Sequence, residues 1–557
     1  MTNKKINMIK ENLLEYFEKS INLNWDKKAL SDYNGKTFLY KDVAEKIAIY
    51  HILFEKAGIK KGDKIALIGK NSTSWALNFI AVIGYGAIAV PILPDFTPKD
   101  LYNIVEHSDS KLLFISDFIW PKVDAKGFKS IQAIFSLESL KLLAKNTGNH
   151  QQILDELEND FKSKYPNGLK ENDFQLAKVS NDKLAEISYT SGTTGFSKGV
   201  MLNHNTLAAN IRYARNNMPL KAGDNILSFL PLGHSYGLAF ELLFPFSKGC
   251  HITFLTKTPA PNVIMNAFSE IKPDLILSVP LIIEKIFKNN VVPQISKPLM
   301  KILLKIPGLN NLIYKKILAA LTETFGGKFK ELVIGGAPFC PRAEAFFKKI
   351  GFPFAIGYGT TECGPLVSYA SWTDFRAGSC GKPIDTIEVK IDSADPINVI
   401  GEILIKGENV MNGYYKNEEA TKNSFTEDGW LKSGDLGQLD KDGYIYIKGR
   451  NKNMLLGPSG QNIYPEEIES KLADLPYVME SLVIMRNQKL TALIYPNLEK
   501  AKLDKVSAEA LEKIIKGHRK EVNKHSPTFL HIAEIEVREK EFEKTPKQSI
   551  KRYLYQE

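Results

Sequence analysis

Apolar residues along this 557-residue chain fall in short runs that alternate with longer amphipathic stretches. The runs are rich in Ile, Leu and Val, which predicts buried strands, and the stretches between them have helical spacing. This alternation predicts an α/β fold. The predicted strands include KIALIG (64–69), KLLFIS (111–116), HITFL (251–255), DLILSVP (274–280) and ELVIGG (331–336).

A long apolar run at residues 75–94 is about the length that crosses a bilayer. It is interrupted by Gly84, Gly86, Pro91 and Pro94. Because glycine and proline break helices, the run predicts a buried helix to about Ile83, a glycine turn and the strand AIAVPIL, rather than a membrane span.

The pattern changes after about residue 380, where short β-rich pieces with glycine turns follow one another: TIEVKID, GEILIKG and GYIYIKG. After GRNKNM (449–454) come the helical PEEIESKLAD and the strand VMESLVIMR. The sequence therefore predicts a large N-terminal domain, residues 1–448, of layered α/β and β-rich subdomains. A small α+β C-terminal domain, residues 454–557, is predicted to follow it.

The composition is that of a globular protein, with 44% apolar and 24% charged residues. The cysteines Cys250, Cys340, Cys363 and Cys380 lack the spacing of a metal site or a disulfide framework, which favours a reducing compartment. The first twenty residues are charged throughout and have no apolar signal-peptide core. These features predict a cytoplasmic protein.

The net charge of +10 is spread along the chain without an RNA-binding motif or interleaved aromatic residues, which argues against nucleic acid as a partner. The densest basic feature is KPLMKILLKIPGLNNLIYKKIL (297–318), in which Leu299, Ile302, Leu303 and Ile306 have helical spacing. Two interpretations are open. The segment is either a core-facing amphipathic helix with solvated lysines, which is the preferred one, or a helix in peripheral contact with an anionic membrane.

The stretch TSGTTGFSKG (190–199) has the composition of a phosphate-binding loop. Glycines let the backbone approach phosphate oxygens, hydroxyl groups donate hydrogen bonds, and Lys198 supplies a positive charge. The flanks LAEISYT (184–190) and VMLNHNTLAANIRYA (200–214) predict a strand before the loop and, after it, a helix that starts near a capping Asn. The spacing is not that of a Walker A loop, because Phe196 and Ser197 separate Gly195 from Lys198.

Two further stretches complete a candidate ATP site. IGYGTTECGP (356–365) places Tyr358 and two threonines before Glu362, and LKSGDLGQLDKDGYIYIKGR (431–450) contains Asp435 and Arg450. Each alone has an ordinary explanation, such as a core tyrosine, a solvated carboxylate or a common glycine turn. Together with the phosphate loop they supply a ring for a base, a carboxylate for Mg²⁺, and a carboxylate and an arginine for ribose.

In these motifs, and in their order and separation, the chain resembles the adenylate-forming superfamily of acyl-CoA synthetases, nonribosomal adenylation domains and firefly luciferase. YTSGTTGFSKGV resembles the phosphate loop, GGAP (335–338) and GYGTTE the adenine and Mg²⁺ region, SGDLG the ribose aspartate, and GR the second ribose contact. The resemblance extends from FLYKDVAEKI, near residue 38, to KTPKQSIKR (544–552).

The resemblance implies a two-step ligase that uses ATP, Mg²⁺ and a thiol, usually CoA. A carboxylate attacks the α-phosphorus of ATP to give an acyl-adenylate, and the thiol then displaces AMP. Residues 449–453 would be the hinge, at Lys452, about which a mobile small domain swings between the two steps. GPSGQNIYPEEIE (457–469) resembles the loop near the thiol.

The resemblance also assigns roles to individual residues. Lys198, Thr361 and Glu362 would act on the phosphates, His234 would lie near the carboxylate and thiol channel, and Glu362 with Thr190 would hold Mg²⁺. The implied nucleotide contacts are Thr190, Ser191, Gly192, Thr193, Thr194, Gly195, Lys198, Gly335, Gly336, Ala337, Tyr358, Gly359, Thr360, Thr361, Asp435, Arg450 and Lys452.

One position departs from the family pattern. Where the superfamily carries a lysine near its C-terminus, aligning TPKQSIKR puts Ser549. Lys547 and Lys551 lie two residues to either side, and in an extended segment they point the same way as Ser549, roughly 6.6 Å along the strand. A lysine stem covers much of that distance, so either amine is a candidate catalytic group.

The acid is predicted from the apolar segments 227–249 and 275–287, which are rich in Leu, Ile and Phe. These segments are either the lining of an acyl tunnel or a buried core of sheet and helix. The piece between EKIF and LTETFGG resembles an insertion of long-chain acyl-CoA synthetases, and GQNIYPEEIE resembles that branch too, which implies a medium or long fatty acid. Two alternatives remain open. One is an acyl-carrier-protein ligase using the same adenylate, and the other is a degenerate protein that binds nucleotide and fatty acid without catalysis.

Overall fold

The computed structural model describes residues 9–190, 197–457, 461–524, 526–545 and 550–556. The strands in chain order are β1 (Lys28–Asp32), β2 (Thr37–Leu39), β3 (Lys64–Ile68), β4 (Ile88–Ile92), β5 (Ser110–Ile115), β6 (Ala133–Ser136), β7 (Leu142–Lys145), β8 (Leu184–Thr190), β9 (Lys198–Asn203), β10 (Asn225–Ser228), β11 (His251–Phe254), β12 (Leu275–Ser278), β13 (Glu331–Ile334), β14 (Phe354–Ile356), β15 (Tyr358–Gly359), β16 (Leu366–Tyr369), β17 (Lys382–Pro383), β18 (Ile387–Asp392), β19 (Gly401–Gly407), β20 (Leu431–Leu439), β21 (Ile445–Arg450), β22 (Leu455–Leu456), β23 (Asn462–Ile463), β24 (Val478–Arg486), β25 (Lys489–Pro496) and β26 (Glu534–Val537).

Helices connect most of these strands. They are α1 (Leu13–Leu23), α2 (Tyr40–Lys56), α3 (Thr73–Tyr85), α4 (Pro98–His107), α5 (His150–Lys164), α6 (His204–Asn217), α7 (Ser235–Gly237), α8 (Phe244–Lys248), α9 (Pro261–Ile271), α10 (Pro280–Ile286), α11 (Val292–Ile295), α12 (Pro298–Leu303), α13 (Leu309–Thr324), α14 (Pro341–Ile350), α15 (Glu418–Asn423), α16 (Pro465–Ala473), α17 (Leu498–Leu503) and α18 (Ala508–Lys524). Single π-helical turns at Leu238–Leu243 and Phe287–Val291 join α7 to α8 and α10 to α11.

The largest sheet has the order β7-β6-β5-β3-β4-β8-β9, with β3 parallel to both β4 and β5. Alternate residues of β3 enter different apolar clusters, since Ile65 packs on one face and Ala66 on the other. Trp75 and Phe79 of α3 cover the first face and stack with ring centroids 5.5 Å apart. The predicted helix, glycine turn and strand at 75–94 are confirmed, because Gly86 ends α3 in the left-handed conformation just before β4.

Two parallel sheets, β10-β11-β1-β2 and β12-β13-β14, form the second layered region, with only β2 antiparallel to its neighbour in the described residues. The antiparallel sheet β18-β19-β20-β21 is the β-rich region predicted after residue 380, and the small antiparallel sheet β15-β16-β17 begins before it, at Tyr358. The α/β class, with layered and β-rich parts in the large N-terminal region, is confirmed.

The predicted helix after the phosphate loop is confirmed and begins at a capping Asn, but strand β9 separates it from the loop. Residues 198–203 form strand β9, which pairs antiparallel with β8 in the register Thr190↔Lys198, and the helix α6 starts only at His204. Val200 and Leu202 are buried on one side of β9, so the alternating pattern outweighs the helical one. The predicted capping Asn is Asn203, whose side chain accepts a hydrogen bond from the backbone of Thr206.

The C-terminal region is a three-stranded sheet, β24-β25-β26, packed on α16 and α18. Its own apolar cluster includes Ile468, Leu472, Ile494 and Ile515, which confirms a small α+β unit. The segment 449–453 contains the end of β21 and a single 3₁₀ turn, Asn451–Asn453. The division of domains at this segment, its action as a hinge and the mobility of the small domain stay predictions.

Polar contacts dock helix α16 on the large region. Asn453 donates to Glu466 at 2.6 Å near the start of the helix. At its other end, Lys288 donates to the carbonyl of Ala473 at 2.7 Å, and the thiol of Cys340 donates to Asp474.

The preferred interpretation of residues 297–318 as a core-facing amphipathic helix is wrong for its first half. The segment forms two helices, α12 and α13, broken near Pro307 and Gly308. α12 buries no side chain, whereas α13 packs Tyr314, Ile317 and Leu318 against the main apolar cluster. Among the described residues no helix combines the length and the apolar character that crossing a membrane requires.

The C-terminal tail is fixed to the small region by ion pairs. Lys544 lies 2.5 Å from Glu480, and Arg552 pairs with Glu469, whose side chain is 14% exposed. Burial raises the pKa of Glu469, and Arg552 opposes that shift. The tail therefore depends on a cation beside a nearly buried carboxylate.

We expect Arg552→Ala to lower the free energy of unfolding by about 2 kcal/mol, because it leaves Glu469 buried without its cation. The exposed pair Arg486–Glu536, with side chains 40% and 43% exposed, provides a control. Arg486→Ala should cost less than about 1 kcal/mol. Denaturant unfolding followed by circular dichroism measures both, and equal losses in the two variants would contradict the prediction.

Candidate active site

The phosphate-loop motif joins two strands of the large sheet. Thr190 ends β8 and Lys198 begins β9, so the ladder holds the two ends of the loop side by side. Gly199 lies in close contact with the core, since a Cβ there would meet Ile187 at 2.8 Å. Ser191, Gly192, Thr193, Thr194 and Gly195 lie outside the described residues.

Lys198 lies over the ring of Tyr414, with its amine 4.7 Å from the ring centroid. The hydroxyl of Tyr414 donates to Glu362 at 2.9 Å, and the hydroxyl of Thr360 donates to the other carboxylate oxygen. The pKa of Tyr414 is raised mainly by burial and also by the negative charge of Glu362. Its hydroxyl therefore stays protonated and acts as the donor. One tyrosine thus links the loop lysine to the candidate Mg²⁺ carboxylate.

Tyr414 reaches this position because its segment pairs with the edge of β9. The backbone of Met201 donates to Gly413, that of Asn412 donates to Met201, and that of Tyr415 donates to Gly199, at 2.9, 3.0 and 2.8 Å. These bonds extend the large sheet by a short edge segment.

The loop that carries Glu362 is held by two buried carboxamides. Asn210 of α6 donates to the carbonyl of Cys363 at 2.9 Å and accepts from the backbone of Leu366 at 2.8 Å. Asn409, which follows β19, donates to the carbonyl of Leu366 at 2.6 Å. Both side chains are completely buried, so the loop is fixed from the α/β layer and from the β-rich layer at once.

A second cluster lies at the other end of the same loop. The hydroxyl of Tyr358 donates to Asp435 at 2.7 Å, and the guanidinium of Arg450 lies 3.1 Å from the other oxygen of that carboxylate. Asp435 and Arg450 are direct cross-strand partners of β20 and β21. Burial raises the pKa of Asp435, and the charge of Arg450 opposes the shift. Arg450 keeps 71% of its side chain exposed, so its remaining donors face solvent.

The GGAP motif follows the carboxyl end of β13. Gly335 bonds to the carbonyl of Ser278 at the end of β12, while Gly336 and Ala337 are exposed. A Cβ at Gly335 would lie 3.2 Å from the ring of Tyr236, whose hydroxyl donates to the carbonyl of Val333. Glycine is therefore needed for this close approach.

His234 is half-buried at the start of α7, and its Nδ1 accepts from the backbone of Tyr236 at 3.1 Å. Tyr236 thereby connects the turn at His234 to Gly335. Two motifs that are about a hundred residues apart in the sequence therefore lie side by side.

The chain before His234 is fixed by two buried polar side chains. Glu241 accepts from the backbone of Phe229 and of Leu230, at 2.9 and 2.8 Å. Asn71 accepts from the backbone of Leu232 at 2.9 Å. Burial raises the pKa of Glu241 well above its ordinary value, so this carboxyl supports the backbone.

The remaining predicted residues lie in different settings. Thr361 is buried between Thr360 and Glu362, Gly359 lies against the carbonyl of Pro365, and Lys452 is exposed on the 3₁₀ turn. Lys551 lies 3.7 Å from Glu543 within the C-terminal tail. Lys547 and Ser549 lie outside the described residues.

Sequence reasoning missed three residues that organise the site. Tyr414, Asn210 and Asn409 come from an irregular edge segment, a helix interior and a turn, where no spacing rule marks them. Glu241 could have been found, because it is one of only two charged residues in the apolar segment 227–249.

Two family models match most of this chain. The family model described as AMP-binding enzyme matches residues 17–415, and the model described as AMP-binding enzyme C-terminal domain matches residues 453–557. The chain belongs to the AMP-binding enzyme family. It is therefore an adenylate-forming ligase, of the class that releases AMP.

Among curated relatives of this AMP-binding enzyme is the long-chain-fatty-acid–CoA ligase FadD15 of Mycobacterium bovis, 29% identical over 453 residues that cover 77% of this chain and 72% of that protein. The chloroplastic long-chain-fatty-acid–[acyl-carrier-protein] ligase AEE15 of Arabidopsis thaliana is 27% identical over 565 residues, covering 86% and 74%. The crystal structure of the anthranilate CoA ligase AuaEII with anthranoyl-AMP has the same fold, with a TM-score of 0.78 and 21% identity over 98% of this chain and 96% of that one.

We expect Tyr414→Phe to lower the rate of AMP formation roughly tenfold, because the hydrogen bond from its hydroxyl to the Glu362 carboxylate contributes about 1.5 kcal/mol. The adjacent tyrosine is a matched control, since the hydroxyl of Tyr415 bonds to Asp109 at an exposed position. Tyr415→Phe should keep the wild-type rate. Steady-state assays at saturating ATP distinguish the two, and equal rates in both variants would contradict the role of Tyr414.

Proposed function

We propose that this AMP-binding enzyme activates a medium- or long-chain fatty acid as an acyl-adenylate and transfers the acyl group to CoA. The observation that carries the proposal is the grouping of Lys198, Glu362 and Asp435 around one loop, residues 358–362. One end of the loop reaches Lys198 through Tyr414, and the other end bonds to Asp435 through Tyr358. Two relatives named as long-chain-fatty-acid ligases support the choice of acid.

In the first step an oxygen of the substrate carboxylate bonds to the α-phosphorus of ATP. The bond from that phosphorus to the oxygen bridging to the β-phosphate breaks, and pyrophosphate leaves. Both reactants are anionic, so the step requires positive charge and backbone donors around the phosphates. Lys198 supplies the charge, and Thr361 lies beside Glu362, where we place the α-phosphate.

In the second step the sulfur of CoA bonds to the acyl carbonyl carbon, the bond to AMP breaks, and the thiol proton passes to solvent. The proposed hinge at 449–453, with Lys452, would let the small domain exchange one face for another between the steps.

Mg²⁺ fits the residues present. Each oxygen of Glu362 accepts one hydroxyl hydrogen bond, from Tyr414 or Thr360, and keeps a lone pair for a ligand. In nucleotide sites Mg²⁺ takes one or two carboxylates together with phosphate oxygens and water. Glu362 would hold the ion with the hydroxyl of Thr190, and when bound it neutralises charge on the phosphates.

The nucleoside would lie between the second cluster and GGAP. The Asp435 carboxylate is suited to accept from ribose hydroxyls, and Arg450 has donors free on its exposed side. Tyr358 is 7% exposed and Gly336 is exposed, so the ring edge and the glycine backbone form the proposed adenine contacts.

The apolar segment 227–249 favours an uncharged acyl chain. Its two charged side chains bond to the main chain, since Glu241 accepts from the backbone of Phe229 and Leu230, and Lys248 donates to the carbonyl of Arg215 at 3.1 Å. Glu241 is the segment's only carboxyl group, and because it is completely buried and bonded to the backbone it is not available to pair with the ammonium group of an amino acid substrate. This arrangement supports a fatty acid.

An acyl-carrier-protein ligase is the second candidate, because the relative AEE15 carries that name and the net charge of +10 would attract an acidic protein. A third candidate, a noncatalytic binding protein, rests on Ser549 alone.

AMP release from Mg-ATP and hexadecanoate should require CoA. We expect turnover with acid and CoA together, and no turnover when either is left out, measured as AMP by chromatography. Replacing CoA by holo-acyl carrier protein is the matched comparison. Turnover with the carrier protein alone would favour the second candidate, and no AMP with either thiol would contradict a fatty-acid ligase.

A displaced C-terminal lysine should serve adenylation. We expect Lys547→Ala or Lys551→Ala to lower acid-dependent exchange of pyrophosphate into ATP by roughly a hundredfold, as loss of a transition-state donor does. Lys540→Ala, at an exposed position of the same region, is the control. If both single variants and the double variant exchange pyrophosphate at the wild-type rate, neither lysine has this role.

A further inference from the structure

We propose that residues 297–318, named here the basic apolar surface, bind an anionic phospholipid bilayer. The inference does not depend on which acid or thiol the active site uses. It rests on the exposure of apolar side chains, on the charge around them and on the packing of α13 against the core.

Four large apolar side chains of this surface face solvent. Leu299, Ile302, Ile306 and Leu312 are 68%, 61%, 44% and 53% exposed. Leu299 and Ile302 lie one turn apart on α12, so they project from the same face of that helix. Single exposed apolar residues are ordinary on a protein surface, but four within fourteen residues indicate an interaction site.

The charge of the surface has one sign. Residues 297–318 contain five lysines and no aspartate or glutamate. All five lysines are exposed, and in the described part of the chain none of their amines forms an ion pair with a carboxylate. They are Lys297, Lys301, Lys305, Lys315 and Lys316. A juxtaposed anionic lipid surface would provide the missing counter-charge.

The second helix of the basic apolar surface, α13, is packed on the core of the protein. On the opposite side of α13, Leu321 is 3% exposed and Tyr314 packs edge-on against Phe346 of α14, with ring centroids 6.3 Å apart. Lys349 of α14 lies over the ring of Tyr314. α13, which carries Leu312, is therefore anchored on the core, and α12 with Leu299 and Ile302 directly precedes it in the chain and buries no side chain of its own.

The combination favours a bilayer over an acidic protein. Lysines alone would suit either partner, but Leu299 and Ile302 need an apolar environment that the headgroup and acyl boundary of a membrane supplies. Long lysine stems can lie along that boundary while their amines reach the phosphates. No helix of the described residues spans a bilayer, so the contact would be peripheral.

Co-sedimentation with vesicles tests the proposal. The full chain should sediment with vesicles of phosphatidylcholine and phosphatidylglycerol, and stay in solution with vesicles of phosphatidylcholine alone. Leu299→Asp with Ile302→Asp should lower the partition coefficient at least about tenfold, since burial of each side chain contributes over 1 kcal/mol. Lys301→Glu with Lys305→Glu should lower it by a similar factor, about 1 kcal/mol per lysine.

The chain offers a matched control in α17. Leu503 is 79% exposed and next to the exposed Lys502. Leu503→Asp with Lys502→Glu therefore makes the same two kinds of substitution outside the basic apolar surface and should leave vesicle binding unchanged. All substitutions are at exposed positions, and circular dichroism checks that each variant is folded. The proposal is overturned if wild type stays in solution with anionic vesicles, if the control variant loses binding equally, or if the aspartate variant binds like wild type. Capture of an acidic carrier protein by these residues, without vesicle binding, would also overturn it.

Discussion

The candidate site depends on the hydrogen bonds that two buried carboxamides make to one loop. Carbonyl and amide groups of residues 363–366 point into the interior, where each needs a partner to offset its desolvation. Asn210 and Asn409 supply those partners from two different layers of the fold. Because the loop cannot shift without breaking buried bonds, the layers that hold it also fix Glu362 on one side and Tyr358 on the other.

The position of this loop also determines how the charged side chains of the candidate site are spaced. Lys198, Glu362 and Asp435 belong to three separate sheets or loops, and neutral hydroxyl and aromatic groups lie between them. Tyr414 and Tyr358 each donate to a carboxylate while burial keeps their own pKa raised. In the described contacts Lys198 and Glu362 do not pair directly, although they contact the same tyrosine. Such an arrangement suits an anionic ligand at the lysine and its counter-ion at the carboxylate.

Much of the fold could be predicted from sequence because its signals are local. β19 and β24 begin and end where the β-rich and C-terminal patterns predict them, and Gly86 ends α3 as a glycine C-cap should. β9 could not be predicted in this way, since KGVMLN is short and its strand state depends on pairing with β8. Motif residues such as Asp435 could be proposed from the order of the motifs along the chain, whereas Tyr414 and Asn409 act through contacts between segments distant in the chain. The exposure of α12 also escaped prediction, because helical spacing shows which residues share a face but not whether that face meets the core.

In the described residues, helix α16 meets the large region through Lys288 and Cys340 and the 449–453 segment through Asn453, and its apolar side chains belong to the cluster of the small region. Water can replace such partners at little net cost, since a hydrogen bond lost to protein is regained from solvent. An apolar seam would have to expose its area all at once, and the free energy of separation would grow with that area. A contact of the first kind can part and re-form at little net cost, as the proposed movement of the small domain would require.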